Sequence, residues 1–367
     1  MLIAVDIRAG RIDAFYLFDV AESADLSAIP ALISGETVPA RLQPKPATPD
    51  YVQYEKPPLS FDGEAVGLGE FDGFKSRIRV YDYGVVSVAF QRPFAGSWSD
   101  LAAVGQTLIE NPELEQHAER MCRVVIDRLR KALKATRDTF LSEDYLVITI
   151  NELGLPLAAD DLMAARGTDI ATILRGEKKP LSDEEKTKIL EGHISYLADD
   201  LVIPTWNAAF VYDTPAGAQA ALEIMEYANS QLLEYRHYDQ LLDNRLESIY
   251  ATLERPRWYD QWLGNRYTRA AREVHSLFID VNELTDRTEN TLKFIGDLYA
   301  VRLFSLVGER LGLAKWKADV EAKLKTLDDI YRFAVEQSSM SRGQFLELTI
   351  VLILVLELLL IFMGVMK

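Results

Sequence analysis

The stretch LVIPTWNAAFVYDTP at residues 201–215 decides how this chain is read. Before it, apolar residues come in short β-branched and aromatic runs. After it, they recur at helical steps of three and four. Leu201–Tyr212 reads as a strand interrupted at Pro204, and a proline inside a strand pattern favours an edge position or a bulge. Thr214 with Pro215 reads as a helix cap and first-turn proline. The fold class is therefore α+β. A mixed α/β domain spans 1–213, long helices with coiled-coil-like seams form a bundle over 214–342, and an apolar C-terminal segment occupies 345–366.

Upstream, Leu2–Arg8, Asp13–Phe18, Arg77–Tyr81, Gly84–Phe90 and Tyr145–Asn151 read as strands. Residues 36–75 are rich in Pro and Gly and read as loop, with a short strand at Tyr51–Tyr54. Asn111-Pro112 opens a helix whose Leu114, Ala118, Met121, Val125, Leu129 and Leu133 form an apolar stripe. Cys122 borders that stripe and reads as a small buried thiol. Residues 154–181 read as a polar, partly helical connector. Ser182 with Glu185 makes a capping box that opens a helix through Leu197.

Downstream, Ala221, Met225, Ala228, Leu232, Tyr235, Asp239, Leu242, Leu246 and Ile249 make a heptad seam with one polar member, Asp239. Second and third seams run from Val274 to Leu298 and from Trp316 to Ala334. Leu232, Tyr235, Asp239 and Leu242 are the expected oligomer interface, joined by Glu357.

Leu348–Met366 contains 19 residues with one charge, Glu357. Fourteen Leu, Ile, Val and Phe contribute roughly −4 to −8 kcal/mol on an insertion scale, against about 2.5–3.5 for the carboxylate. The run reads as a C-terminal transmembrane anchor containing Leu348, Ile350, Leu354, Glu357, Leu360 and Phe362; the alternative is a buried apolar helix. The start of the chain carries no signal or transit pattern. With Lys323, Lys325, Arg332 and Arg342 before the span, positive-inside reasoning places a single-pass protein in the cytoplasmic (inner) membrane, its body in the cytoplasm.

Charge is unevenly placed. Residues 1–250 hold 40 acids and 24 bases, and residues 251–367 hold 16 of each, so the whole excess of −16 lies in front. Free nucleic acid is a poor partner for such a surface. One cysteine excludes a disulfide framework and a Cys-rich metal site. The histidines at 117, 193, 237 and 275 make no metal spacing with one another. Glu234 and His237 fit half of a di-iron motif without its second copy. Gly67-Leu68-Gly69 precedes strand-like residues, so it lacks the helix that holds a dinucleotide phosphate. The acid pairs Asp160-Asp161, Asp199-Asp200 and Asp328-Asp329 suit turns and helix ends as well as a cation. No catalytic, cofactor or metal residue is singled out. Arg255, Arg257, Trp258, Trp262 and Arg266 gather charge and aromatics in a helix-to-helix corner, or in a contact for anionic lipid or structured RNA.

Leu346-Glu347 followed by an apolar run and Glu357 resembles the terminal anchor of the required-for-meiotic-nuclear-division (YagE-like) family. Tyr81-Asp82-Tyr83-Gly84-Val85-Val86-Ser87 resembles its aromatic-Gly-Val-Val hairpin. Leu292–Asp297 and Trp316 fit its helical layout. The resemblance implies a membrane-anchored oligomer and brings no catalytic residues; mitochondrial members of the family are linked to organellar translation, and the missing transit pattern points to a distant bacterial member instead. The expected function is a non-enzymatic, tail-anchored, self-associating scaffold whose partners are the lipid bilayer and further copies of itself. The alternatives are a membrane-tethered, metal-dependent enzyme acting on a nucleotide or phosphoester, and a tether for the ribosome or another membrane protein.

Overall fold

Strand β1, Ile7–Asp19, is the axis of the protein. Its alternation sends Ile12, Ala14, Tyr16 and Phe18 to one face and Asp13, Phe15, Leu17 and Asp19 to the other, and all eight are buried. A strand buried on both sides must sit inside a sheet covered on both faces. The computed structural model describes residues 6–33, 38–39, 57–64, 73–109, 111–254, 279 and 298–362, with side chains in the last helix described to 330 and only in part beyond.

The other strands are β2 (Ser23–Ala24), β3 (Val38–Pro39), β4 (Leu59–Asp62), β5 (Lys75–Val80), β6 (Val85–Gly96), β7 (Leu133–Lys134), β8 (Ser142–Leu153), β9 (Leu201–Pro204) and β10 (Ala208–Tyr212). Eight of the ten strands among the described residues form one sheet in the order β3-β4-β5-β6-β1-β8-β10-β9, while β2 and β7 pair separately. Phe15 stands between Ala89 of β6 and Tyr145 of β8. All neighbours are antiparallel except β8 and β10, where Ile148 faces Phe210 in parallel. A parallel pair needs a crossover connection. Helices α3 (Ala159–Arg175) and α4 (Asp183–Glu191) supply it.

The first face packs against α1 (Trp98–Leu108), α2 (Pro112–Leu129) and α3. Leu101, Leu114, Cys122, Leu162, Ile170 and Leu174 meet Ile12, Val88, Ile148 and Phe210 in one core. Here the structure differs from the sequence reading twice. The segment read as a polar connector carries α3, a core helix whose Leu162, Ile173 and Leu174 are fully buried. Helix α1, opened by a Ser97–Asp100 capping box, had no counterpart in the reading. The Asn111 cap is as expected, its side chain accepting from the Glu113 and Leu114 amides. Burial pushes the Cys122 thiol well above its ordinary value, so the thiolate is suppressed.

The second face is covered by the first part of α5 (Pro215–Glu254), capped by Thr214 whose hydroxyl accepts from the Gly217 amide at 3.2 Å. The chain divides into two compact units, Met1–Glu234 with Thr288–Ala314, and Tyr235–Arg287 with Lys315–Lys367. The first contains the sheet and α6 (Leu298–Leu311). The second contains the rest of α5 and α7 (Leu313–Phe362) from Lys315 onward. In it Leu242, Ile249, Val320, Leu324 and Leu327 are buried, and Lys323 Nζ is held by Asp239 and Asp243 at 2.7 and 2.6 Å.

Two expectations are corrected here. Helix α5 is not a coiled-coil helix: every residue from Ala221 to Tyr235 is buried, whereas a two-stranded seam leaves half of each turn in water. Its first part, to Glu234, is a core helix of the α/β unit. The C-terminal span is also not found: among the described residues no helix is long and apolar enough to cross a membrane. Glu347 and Glu357, on either side of Ile350–Val355, are exposed. The single-pass placement in the cytoplasmic membrane falls with the span. The second seam, except Leu298, lies outside the described residues.

Candidate functional site

Two places in the first unit concentrate polar chemistry. One is the layer between the second sheet face and α5. Arg79 of β5 donates from Nη1 to Glu226 at 2.6 Å and from Nε to Ser60 at 3.0 Å, with Glu223 at 3.7 Å. Asp13 accepts from Arg11 Nε at 2.7 Å and from Gln91 at 2.6 Å. Arg77 lies 3.9 Å from Glu226. Beside them, Tyr83 and Ser230 share a hydroxyl hydrogen bond of 2.6 Å. Three carboxylates face three guanidiniums, so the layer is neutral although nearly all of it is dry.

Burial raises the carboxyls of Asp13 and Glu223 above their ordinary values, outweighing the opposing pull of Arg11 on the first and Arg79 on the second. Both therefore bind protons more tightly folded than unfolded. Their contribution to stability is present at low pH and lost as pH rises through the raised values. Asp13→Asn removes one such group. Urea unfolding of this variant between pH 4 and 7 should show a flatter fall of stability with pH, by up to about 1.4 kcal/mol per unit; an unchanged slope would show that the fold does not raise the Asp13 carboxyl.

The other place is an open cleft of about 260 Å³ between α4, the β9–β10 turn and α6. Its lining includes Arg175, Lys188, Arg310, Glu185, Ile189, Pro204 and Trp206. The chain positions these groups by three local devices. Ser182 caps α4 through the Glu185 amide, but the Glu185 carboxylate does not return the bond; it accepts from Nε of Arg175 at 2.8 Å and also from Nη2. The β9–β10 turn is tied by the Thr205 amide to Ala208 O at 2.7 Å and by the Tyr145 hydroxyl to both Thr205 and Ala208 carbonyls at 3.0 Å. Pro204 thus ends an edge strand at a hairpin, and Trp206 is left 54% exposed at its tip. Third, Gly192 ends α4, and a Cβ there would lie 1.5 Å from Arg310 Nη2. Only glycine lets the guanidinium settle on the helix end, where the dipole favours a cation.

Lys188 is paired with Glu184 at 2.7 Å. Arg310 Nε is buried with no hydrogen-bond partner among the described residues. Three cations and one carboxylate line this cleft, in a chain with 56 acids and 40 bases.

The residues singled out from sequence lie elsewhere. Arg255, Arg257, Trp258, Trp262 and Arg266 fall outside the described residues, as does Gly67-Leu68-Gly69. Leu232, Tyr235 and Leu242 are buried in the chain itself, and Asp239, the polar seam member, is engaged by Lys323. Ile350 and Leu354 are exposed on α7, as is Glu357; Leu348, Leu360 and Phe362 belong to that helix, but their side chains are outside the described set. Asp160 and Asp161 occupy the first turn of α3, and Asp200 closes a turn by accepting from the Tyr196 and Leu197 amides. Among the described residues no group of three or more His, Cys, Asp or Glu is placed to hold a metal ion. Arg79, Glu226, Arg175 and Arg310 were missed. Trp206 alone gave a signal, an indole set between a proline and an asparagine in a broken strand.

The family match falls within this unit. The family model described as "Uncharacterized protein MJ0711, N-terminal domain" matches residues 9–220. Uncharacterized protein MJ0711 of Methanocaldococcus jannaschii is 25% identical over 228 residues, 62% of this chain and 68% of that protein. No solved structure matches the chain. The matched span runs from β1 into α5, takes in Arg175, Lys188 and Trp206, and covers more than half of the sequence. The chain belongs to the MJ0711 N-terminal domain family.

Proposed function

We propose that the α/β unit is a binding module for a small anion, taken into the cleft between α4, the β9–β10 turn and α6. The observation that carries the reading is Arg310, a residue of the cleft lining whose buried Nε has no hydrogen-bond partner among the described residues, beside two further cations. A buried donor left unpaired costs about 1–3 kcal/mol, and an anion supplies the missing acceptor. Guanidiniums suit planar or tetrahedral oxyanions, carboxylate and phosphate alike. Binding without bond-making fits the lining. The Glu185 carboxylate is occupied by Arg175, and the Thr205 hydroxyl donates to Ala208 O at 2.8 Å, so neither stands ready as base or nucleophile.

Glu185 also sets the affinity. It competes with any anion for Arg175, so Glu185→Gln should tighten binding of inorganic phosphate, on the order of tenfold if one charge-assisted bond of ~1.4 kcal/mol is released. Arg310→Gln should weaken it by a similar factor. Calorimetric titration with phosphate reads both. Phosphate binding that neither variant alters would place the anion elsewhere, and no binding at millimolar phosphate would end the reading.

A further inference from the structure

The cleft lining mixes two kinds of side chain: the cations Arg175, Lys188 and Arg310, and the apolar Trp206, Pro204 and Ile189. The indole is 54% exposed, although Trp is the largest apolar side chain and buried positions were available to the neighbouring Phe210, which is fully buried. It is not exposed because its turn is loose, since the backbone on both sides is tied by the Thr205, Ala208 and Tyr145 hydrogen bonds. A rigid turn that holds a flat aromatic face in water beside a cationic wall suits a ligand that is itself part ring and part anion.

From this we infer that the anion is the phosphate of a mononucleotide, whose base stacks on Trp206 while Arg310 and Arg175 hold the phosphate. The inference rests on the anion-binding reading above and adds the ligand class to it. Size supports one nucleotide rather than a dinucleotide or a strand, because about 260 Å³ lies just below the ~300–1,000 Å³ range of drug-sized sites. Charge supports a free ligand, since the front of the chain, residues 1–250, carries 40 acids against 24 bases and repels a polyanion. Base identity should matter little. Stacking accepts any base, and Thr205, the uncharged polar side chain of the lining, spends its hydroxyl on Ala208.

The test is titration calorimetry on the full chain with AMP, UMP, ribose 5-phosphate and inorganic phosphate, using wild type, Trp206→Leu, Trp206→Phe and Arg310→Gln. AMP should bind roughly ten- to a hundred-fold more tightly than ribose 5-phosphate, the range that one stacked base supplies. UMP should follow within about tenfold. Trp206→Leu should erase the difference between AMP and ribose 5-phosphate and leave ribose 5-phosphate unchanged, while Trp206→Phe keeps most of it. Arg310→Gln should weaken all four ligands together. If AMP and ribose 5-phosphate bind equally and both depend on Arg310, the anion reading stands and the nucleotide is overturned. If Trp206→Leu weakens both alike, the indole acts on the turn and not on a base, which also overturns it. If none of the four binds, both readings fall.

Discussion

Replacing Glu226 by leucine should remove about 3–5 kcal/mol of stability, and so should replacing Arg79 by methionine, whereas the double variant should unfold close to wild type. Arg79 and Glu226 meet at 2.6 Å with side chains 2% and 1% exposed, so neither charge has water to fall back on. Each single change strands its partner in a dry layer. The double change removes one charge of each sign, so the layer stays neutral and Glu223 keeps the electrostatic pull of Arg77, while two apolar side chains fill the volume between β5 and α5. A buried pair replaced in this way is commonly neutral or gains about 1–4 kcal/mol. Against a total stability of about 5–15 kcal/mol, either single loss is large. Urea unfolding of the four proteins checks the cycle, whose coupling energy should be several kcal/mol. Strict additivity would mean that the two side chains act independently, and the charged layer would lose its role as the seat of α5.

That layer also shows why the sequence was only partly legible. Strand pattern, caps and turn residues are local, and they were readable: Asn111, Ser182 and Thr214 each cap the helix expected of them. The covering of a face is not local. In β5, Arg77 and Arg79 alternate with Ile78 and Val80, the pattern of a strand with one face in water. The second face is instead closed by α5 from more than 130 residues away, which brings Glu223 and Glu226 to those arginines. The same helix looked like a coiled-coil strand because its apolar residues fall at heptad steps, while the buried Glu226, Asn229 and Ser230 between them read as surface. The cleft was out of reach for a simpler reason: Arg175, Trp206 and Arg310 come from three separated parts of the chain, and of the three only Trp206 stands out in its local sequence. In the tail, an insertion sum weighs composition, whereas a span is a property of a helix and of its continuous apolar length. Among the described residues no helix is long and apolar enough to meet it.

Gly84→Ala should cost on the order of 4 kcal/mol, far more than the same change at Gly73. The β5–β6 hairpin closes with the Gly84 amide on Tyr81 O at 3.1 Å, and Gly84 itself stands at φ +84°, the left-handed glycine that follows the turn in a three-residue hairpin loop. A non-glycine there costs about 1–3 kcal/mol in backbone strain. The second cost is contact. A Cβ on Gly84 would come 2.0 Å from the carbonyl oxygen of Ala21, a backbone atom that cannot rotate aside. The segment it would push is fixed by the Val20 amide on Gly84 O at 3.0 Å and the Ala24 amide on Asp82 O at 2.8 Å. Overpacking of this kind adds about 1–3 kcal/mol. Gly73 separates the two causes: its φ is +92°, yet nothing lies within 4 Å of its added Cβ. Thermal or urea unfolding of the two variants should therefore differ by the contact alone, about 1–3 kcal/mol. Equal losses would assign the whole cost to backbone conformation and would free Ala21 from any part in setting the hairpin. A larger loss at Gly84 identifies the turn after β5 as the point where β1 and the β5–β6 hairpin are locked together, and with them the strand that presents Arg79 to α5.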